Sequence, residues 1–340
     1  MVARMKGLER NAVCAAMIAV FALIAPGCKL PEQKKPPPGP VEWVADRLPV
    51  SAPDTRIEAI GGTGPNDVWA VGWGFYHYDG KTWSDRTPRE LSGYGTAMTA
   101  LSAVAPDDVW AVGVNGRVAH FDGKSWSGEQ IAVARVSPLP DVKGYFNLID
   151  VLAFPGEVWV TASARAYYRY DRRGAKGWTV VPVPEVNPGT FQQIWGSSPT
   201  DVWRVSGRMD HFDGTRWDTS MSLPVGLRKA HGSGPDDVWA AGWKGHFKKD
   251  DGALMHFDGK RWIDIALPPG TPLLWSVSSR GPGRAYAVGD HGWALAFDGT
   301  TWRTSNTGVK ETLRDVFVTD GAAFAIGDIG PVVLRTSPAR

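Results

Sequence analysis

A stretch of 22 residues, Ala105 to Trp126 (APDDVWAVGVNGRVAHFDGKSW), returns in altered form from one end of this 340-residue chain to the other. A unit so short cannot bury a core alone, so its copies must stack on one another, and that requirement limits the fold to a repeat architecture. Within the unit, DVWAVG carries the β-branched and aromatic residues of a strand. Pro106-Asp107-Asp108 ahead of it and Gly113-Val114-Asn115-Gly116 behind it supply turn chemistry. Arg117 to Phe121 reads as a second strand, Asp122-Gly123 as a tight hairpin, and the segment holding Trp126 as a third strand. The apolar stretch Met98 to Ala103 upstream makes four short strands per unit.

Seven copies are legible: DVWAVG at Trp69, DVWAVG at Trp110, EVWVTA at Trp159, DVWRVS at Trp203, DVWAAG at Trp239, RAYAVG at Tyr286 and AAFAIG at Phe324. Their spacing of 36 to 49 residues is that of four-stranded propeller blades, and the strand pattern excludes helical solenoids. A second landmark, FDGxxW, appears as YDGKTW (Trp83), FDGKSW (Trp126), FDGTRW (Trp217), FDGKRW (Trp262) and FDGTTW (Trp302), with a looser YDRRGAKGW at Trp178. The seventh unit has none. The stretch from Val41 through Trp43 to Pro49 reads like the strand that follows each DG turn, with no earlier strands before it. The expectation is an all-β, seven-bladed propeller of four-stranded antiparallel blades over residues 41–335, closed by this N-terminal strand as the outermost member of the last blade.

The DGxxW turn resembles the Asp-box of bacterial-neuraminidase-type (BNR) repeats, which occupies the same hairpin of a propeller blade. The whole of 41–335 also resembles the DVWAVG-repeat proteins found among exported bacterial lipoproteins. The resemblance implies the propeller fold and an envelope location. It does not assign an activity.

Residues 1–27 read as a leader. Arg4, Lys6 and Arg10 precede an apolar run from Ala12 to Ala25, ending at Pro26-Gly27-Cys28. That run reaches roughly 21 Å as a helix, short of the roughly 30 Å bilayer core. Cys28 after Gly27 resembles a lipoprotein cleavage site, which makes Cys28 the expected lipidation position. The only other cysteine, Cys14, lies in the leader, so the mature chain forms no internal disulfide. Residues 28–40 follow as the lipidated cysteine and a proline-rich tether that reaches roughly 37 Å as polyproline II; 336–340 form a short tail.

Charge sets aside one class of partner. The chain has 37 basic and 35 acidic residues; without residues 1–27 there are 34 of each, which lacks the basic excess of a nucleic-acid binder. Of 17 tryptophans, twelve stand at repeat positions, five at DVW and seven after the turn, and are expected to pack neighbouring blades together. Each can contribute about 4–6 kcal/mol as an upper bound. The off-repeat Trp73, Trp243 and Trp293 follow the second strands of their blades, where exposed aromatics could stack on a sugar or a peptide side chain. Two insertions, Trp243 to Ala253 (with His246) and Ile131 to Phe146, fall in connections that share one rim; the PxD and DG turns take the other. At the mouth of the axial channel the inner strands place Glu58, Thr99, Asp150, Gln192, Arg228, Trp275 and Arg314. Arg228 and Arg314 could grip a carboxylate, and Glu58 could donate a proton. His77, His120, His211 and His256 recur once per blade and cannot converge on a metal; Asp79, Asp122, Asp213, Asp258 and Asp298 read as turn formers.

No nucleophile elbow, HExxH helix or phosphate loop is present, and a sialidase-type catalytic set does not assemble from spacing. No cofactor is implied. The expected function is a lipid-anchored, periplasmic or outer-membrane-surface binding module. It would recognise an envelope glycan or protein through Trp73, Trp243, His246, Trp293, Glu58, Gln192, Arg228 and Arg314. An assembly scaffold for an envelope complex is the alternative, and glycoside hydrolase or lyase activity a third.

Overall fold

The computed structural model describes residues 43–50, 55–92, 94–131, 146–163, 167–172, 177–181, 193–205, 209–221, 223–245, 251–328, 330 and 332–336. The expected leader, Cys28, the tether, Gln192 and His246 lie outside the described residues.

Seven four-stranded antiparallel sheets follow one another along the chain. Blade one runs from the inner strand Ile57–Gly64 through Asp67–Gly72 and Phe75–Tyr78 to the outer strand Trp83–Asp85. In blade seven, Leu313–Val318, Ala323–Gly327 and Val332–Thr336 supply three strands, and Trp43–Arg47 pairs antiparallel with the last of these, Trp43 opposite Thr336 and Arg47 opposite Val332. The ring is therefore closed by its own N-terminal strand, which begins on the rim of the DG turns.

The repeat residues do the work their recurrence implies. Each aromatic of a DVW position meets the post-turn tryptophan of the next blade: Trp69 with Trp126 (centroids 5.1 Å apart), Trp110 with Trp178 (6.5 Å), Trp203 with Trp262 (5.3 Å) and Trp239 with Trp302 (5.2 Å). Trp159 and Trp217 share one apolar cluster. Across the closure, Trp43 meets Tyr286 at 5.8 Å and Trp83 meets Phe324 at 6.4 Å, so the N-terminal strand restores the contact that a missing seventh FDGxxW would have made. Large buried rings at every blade boundary give the ring its apolar core.

A polar clamp overlies four of these tryptophans. His77, His120, His211 and His256 each hydrogen-bond the acid of their own DVW strand (Asp67, Asp108, Asp201, Asp237) at 2.6–2.8 Å. Each also lies on its own tryptophan at 4.1–4.4 Å. In blade three Arg169 takes the histidine's place, 5.9 Å over Trp159 and 3.9 Å from Glu157. The DG aspartates accept the backbone N–H groups two and three residues on, as Asp258 does from Lys260 and Arg261 at 2.9 Å. The following glycine takes a left-handed conformation, Gly259 at φ 85°.

Candidate functional site

The inner strands share a local irregularity that builds the channel mouth. In six blades the pairing between first and second strands skips one residue: Glu58, Thr99, Ile149, Arg228, Trp275 and Arg314. A bulged residue leaves the ladder and its side chain is re-aimed. These six therefore form an outer ring at the mouth, on the rim opposite the DG turns. The mouth expectation is corrected at one position. Ile149, not Asp150, is the outer-ring residue of blade three, and Asp150 lies one residue further along the strand, buried in an inner ring with Lys229, Ser276 and Asp315. A cavity of ≈160 Å³ is lined from all seven inner strands, including Glu58, Asp150, Gln193, Arg228, Lys229, Trp275, Arg314 and Asp315.

The outer ring is dominated by one stack. Arg228 lies 3.6 Å from the Trp275 ring centroid and Arg314 4.7 Å from it, so one indole faces two guanidinium groups; Arg228 also lies 5.8 Å from Trp243. Indole faces attract cations, most strongly where water is partly excluded. Trp275 is itself fixed, donating from Nε1 to Asp290 Oδ1 at 2.7 Å, and Asp290 also accepts from Thr312 at 3.0 Å. Arg314 is 3.6 Å from Asp328. Burial, and then the neighbouring Arg314, lower the affinity of Arg228 for its proton. Glu58 is 3.2 Å from Arg56. Burial raises its pKa above the usual carboxylate range, against the pull of Arg56 and Arg314.

In the inner ring Asp150, Ser276 and Asp315 are buried and Lys229 is half-buried. Asp315 accepts from Lys229 Nζ at 2.5 Å, Ser276 Oγ at 2.8 Å, the Val316 N–H at 3.0 Å and the Ile60 N–H of blade one at 3.2 Å. Asp150 makes the matching backbone bonds, from Val151 and from Ile194 of blade four, both at 2.9 Å. Each carboxylate thus latches its blade to the next.

Trp73 and Trp293 lie in the connection between the second and third strands, as expected, but none of the three off-repeat tryptophans is an exposed platform. Trp73, Trp243 and Trp293 are all half-buried. Trp243 is the last residue of the strand Asp237–Trp243 and pairs with Gly226. A Cβ at Gly226 would stand 2.2 Å from the Trp243 ring, so the glycine makes room for it. Trp293 packs against the cluster of Trp239 and Trp302. Trp243 joins the arginine stack, 5.8 Å from Arg228.

Lys229, Ser276 and Asp315 were not singled out from the sequence. Aligning the inner strands on their buried apolar residue would have found them: Leu148-Ile149-Asp150, Leu227-Arg228-Lys229, Leu274-Trp275-Ser276 and Leu313-Arg314-Asp315 share a frame whose second and third positions are the two rings.

Two larger clefts of ≈770 Å³ open on the DG-turn rim, one between blades one and two and the other between blades five and six. Their walls are repeat residues: Asp67, Trp69, His77 and Trp126 in one, Asp237, Trp239, His256 and Trp302 in the other. These acids and histidines already satisfy one another, which leaves the channel mouth as the place where chemistry departs from the repeat. Among the described residues no group of three or more His, Cys, Asp or Glu could hold a metal ion.

No protein-family model matches the chain, and no curated protein matches it. Solved structures do. YCF48 bound to D1 peptide is 20% identical, with 86% of this chain and 94% of that one covered and a TM-score of 0.63. YCF48 from Cyanidioschyzon merolae is 16% identical, with 88% and 99% covered and a TM-score of 0.64. Virginiamycin B lyase from Staphylococcus aureus is 10% identical, with 87% and 99% covered and a TM-score of 0.62. At these identities the similarity establishes the propeller fold alone.

Proposed function

We propose that this chain is an exported, lipid-anchored propeller that binds a protein segment through a carboxylate held at the channel mouth. The observation that carries the reading is the stack of Arg228 and Arg314 on Trp275 beside Trp243. Two guanidinium groups on one indole repel each other, and an anion that reaches the N–H groups of both relieves that repulsion. The D1 peptide named with one structural neighbour is consistent with a peptide partner for this architecture. A glycan platform is less well supported, because Trp73, Trp243 and Trp293 are half-buried and stand on three different blades. An anchor at Cys28 would join the propeller through Trp43, on the rim away from the mouth.

The test is a peptide array of varied acid content probed with the purified protein. Binding is expected to rise with Asp and Glu content and to disappear in the Arg228→Glu/Arg314→Glu double variant. Asp236→Lys on the turn rim should leave it intact. Binding indifferent to peptide charge or to the mouth variant would overturn the reading; saturable binding of oligosaccharides, lost in Trp243→Ala, would replace it with the glycan one. Metabolic labelling with palmitate, expected for the wild type and absent in Cys28→Ser, checks the anchor separately.

A further inference from the structure

Asp150 and Asp315 hold the same position in blades three and seven and make the same two backbone bonds, yet their side-chain surroundings differ. Asp315 receives the Lys229 ammonium and the Ser276 hydroxyl. Asp150 receives no side-chain donor among the described residues; its oxygens accept only the Val151 and Ile194 N–H groups. Both carboxylates line the ≈160 Å³ cavity, and the inner ring supplies one ammonium for the two of them. The ring is one positive charge short.

A buried carboxylate without a cation is costly unless something completes it. Lys229 lowers that cost at long range, but its ammonium is committed to Asp315, and burial still raises the Asp150 pKa to about 6. Above Asp150, in the same cavity, stand Arg228 and Arg314. The cavity therefore presents cations at its mouth and an incompletely satisfied anion at its floor.

We infer that the cavity is a site for a zwitterion, whose carboxylate meets Arg228 and Arg314 and whose ammonium or guanidinium group completes Asp150. This deepens the proposed function and rests on it for the carboxylate half. In a protein partner the two charges would come from neighbouring acidic and basic groups of one segment. In a free ligand they would come from a short ω-amino acid, whose size suits a cavity of this volume.

The experiment titrates the purified protein calorimetrically with glycine, β-alanine, γ-aminobutyrate, 5-aminovalerate and 6-aminohexanoate, against butyrate and butylamine. One chain length is expected to bind at least tenfold more tightly than butyrate. Asp150→Asn should remove that advantage while leaving butyrate binding unchanged, and Arg228→Gln/Arg314→Gln should weaken both. Comparing amine with no amine on the wild-type protein needs no variant, so a folding defect in Asp150→Asn would not blunt the test. Butyrate binding as well as every amino acid, with sensitivity to the arginines, would overturn the zwitterion and leave the carboxylate reading standing. An amino-acid advantage that survives in a folded Asp150→Asn would also overturn it. No binding by any probe would overturn the zwitterion as well, and peptide binding indifferent to the arginines would then sink the carboxylate reading with it.

Discussion

The two rims of this propeller use the same residue types to opposite ends. On the DG-turn rim an acid, a histidine and a tryptophan repeat in four blades with nearly the same geometry, each acid taking several donors: Asp108 accepts from His120, Trp110 and Arg172. At the channel mouth nothing repeats. Bulged positions carry Glu58, Thr99, Ile149, Arg228, Trp275 and Arg314, and one of two equivalent inner carboxylates has no side-chain donor among the described residues. Recurrence with satisfied polar groups marks the parts that hold the ring together, and departure from the repeat marks the parts free to take up function.

The comparison breaks first, and most heavily, at a blade boundary. Trp69 is 1% exposed and touches His77, Phe121 and Trp126. Trp69→Ala should cost about 3–5 kcal/mol in chemical denaturation, because the cavity spans two blades that cannot both collapse into it. Next comes the clamp: Asp108→Ala removes the carboxylate to which His120, Trp110 and Arg172 all donate and should cost about 2–3 kcal/mol in the same assay. At the mouth, Arg228→Gln with Arg314→Gln should change stability by less than about 1 kcal/mol, since both side chains are partly exposed and their charges repel. If the mouth variant cost as much as Trp69→Ala, the arginines would be structural and the contrast between the rims would fail.

The fold could be read before any coordinates because the repeat carries its evidence seven times over, and closure because Trp43 falls where a post-turn tryptophan is missing. The mouth could be read only in part. Arg228 and Arg314 were found as polar residues at the start of inner strands, but Asp150 was placed one ring too high, since Ile149 occupies the bulge and a bulge shifts register by one residue without leaving a mark in composition. Trp243 reads as a loop residue in the sequence because the glycine that seats it, Gly226, lies 17 positions away on the neighbouring strand. Lys229 stands two blades from Asp315 and two from Asp150, and its ammonium meets Asp315, a choice of side-chain direction that no linear spacing encodes.

The finest test uses acid, because Asp237 at the turn rim and Asp150 at the axis should answer pH with opposite signs. At the turn rim, burial would raise the Asp237 pKa, but hydrogen bonds from His256, Ser233 and Ser279 outweigh it and hold the group at about 2. Its folded pKa lies below the unfolded value, so its contribution is present above about pH 4 and is lost as pH falls from there toward 2. At the axis Asp150 is raised to about 6. Its ionisation therefore opposes folding, and its contribution falls as pH rises from about 4 through 6. His231, lowered to about 4 by burial and by Lys229, acts in the same window with the reverse sign, favouring the fold as pH rises from about 4 to 6.5. Glu58, also raised by burial, adds to the sign of Asp150. Denaturation of the wild type between pH 3 and 8 thus sums these axial groups, and the variants separate the contribution of Asp150. In Asp150→Asn stability should rise more steeply from pH 4 to 6 than in the wild type, because the opposing ionisation of Asp150 is then gone while His231 still acts there. In Asp237→Asn the slope below pH 4 should flatten instead. If both variants altered the same pH window, the acid at the axis would be held as firmly as the acid at the rim, and Asp150 would be a carboxylate already satisfied by the protein, with no acceptor left for a ligand to complete.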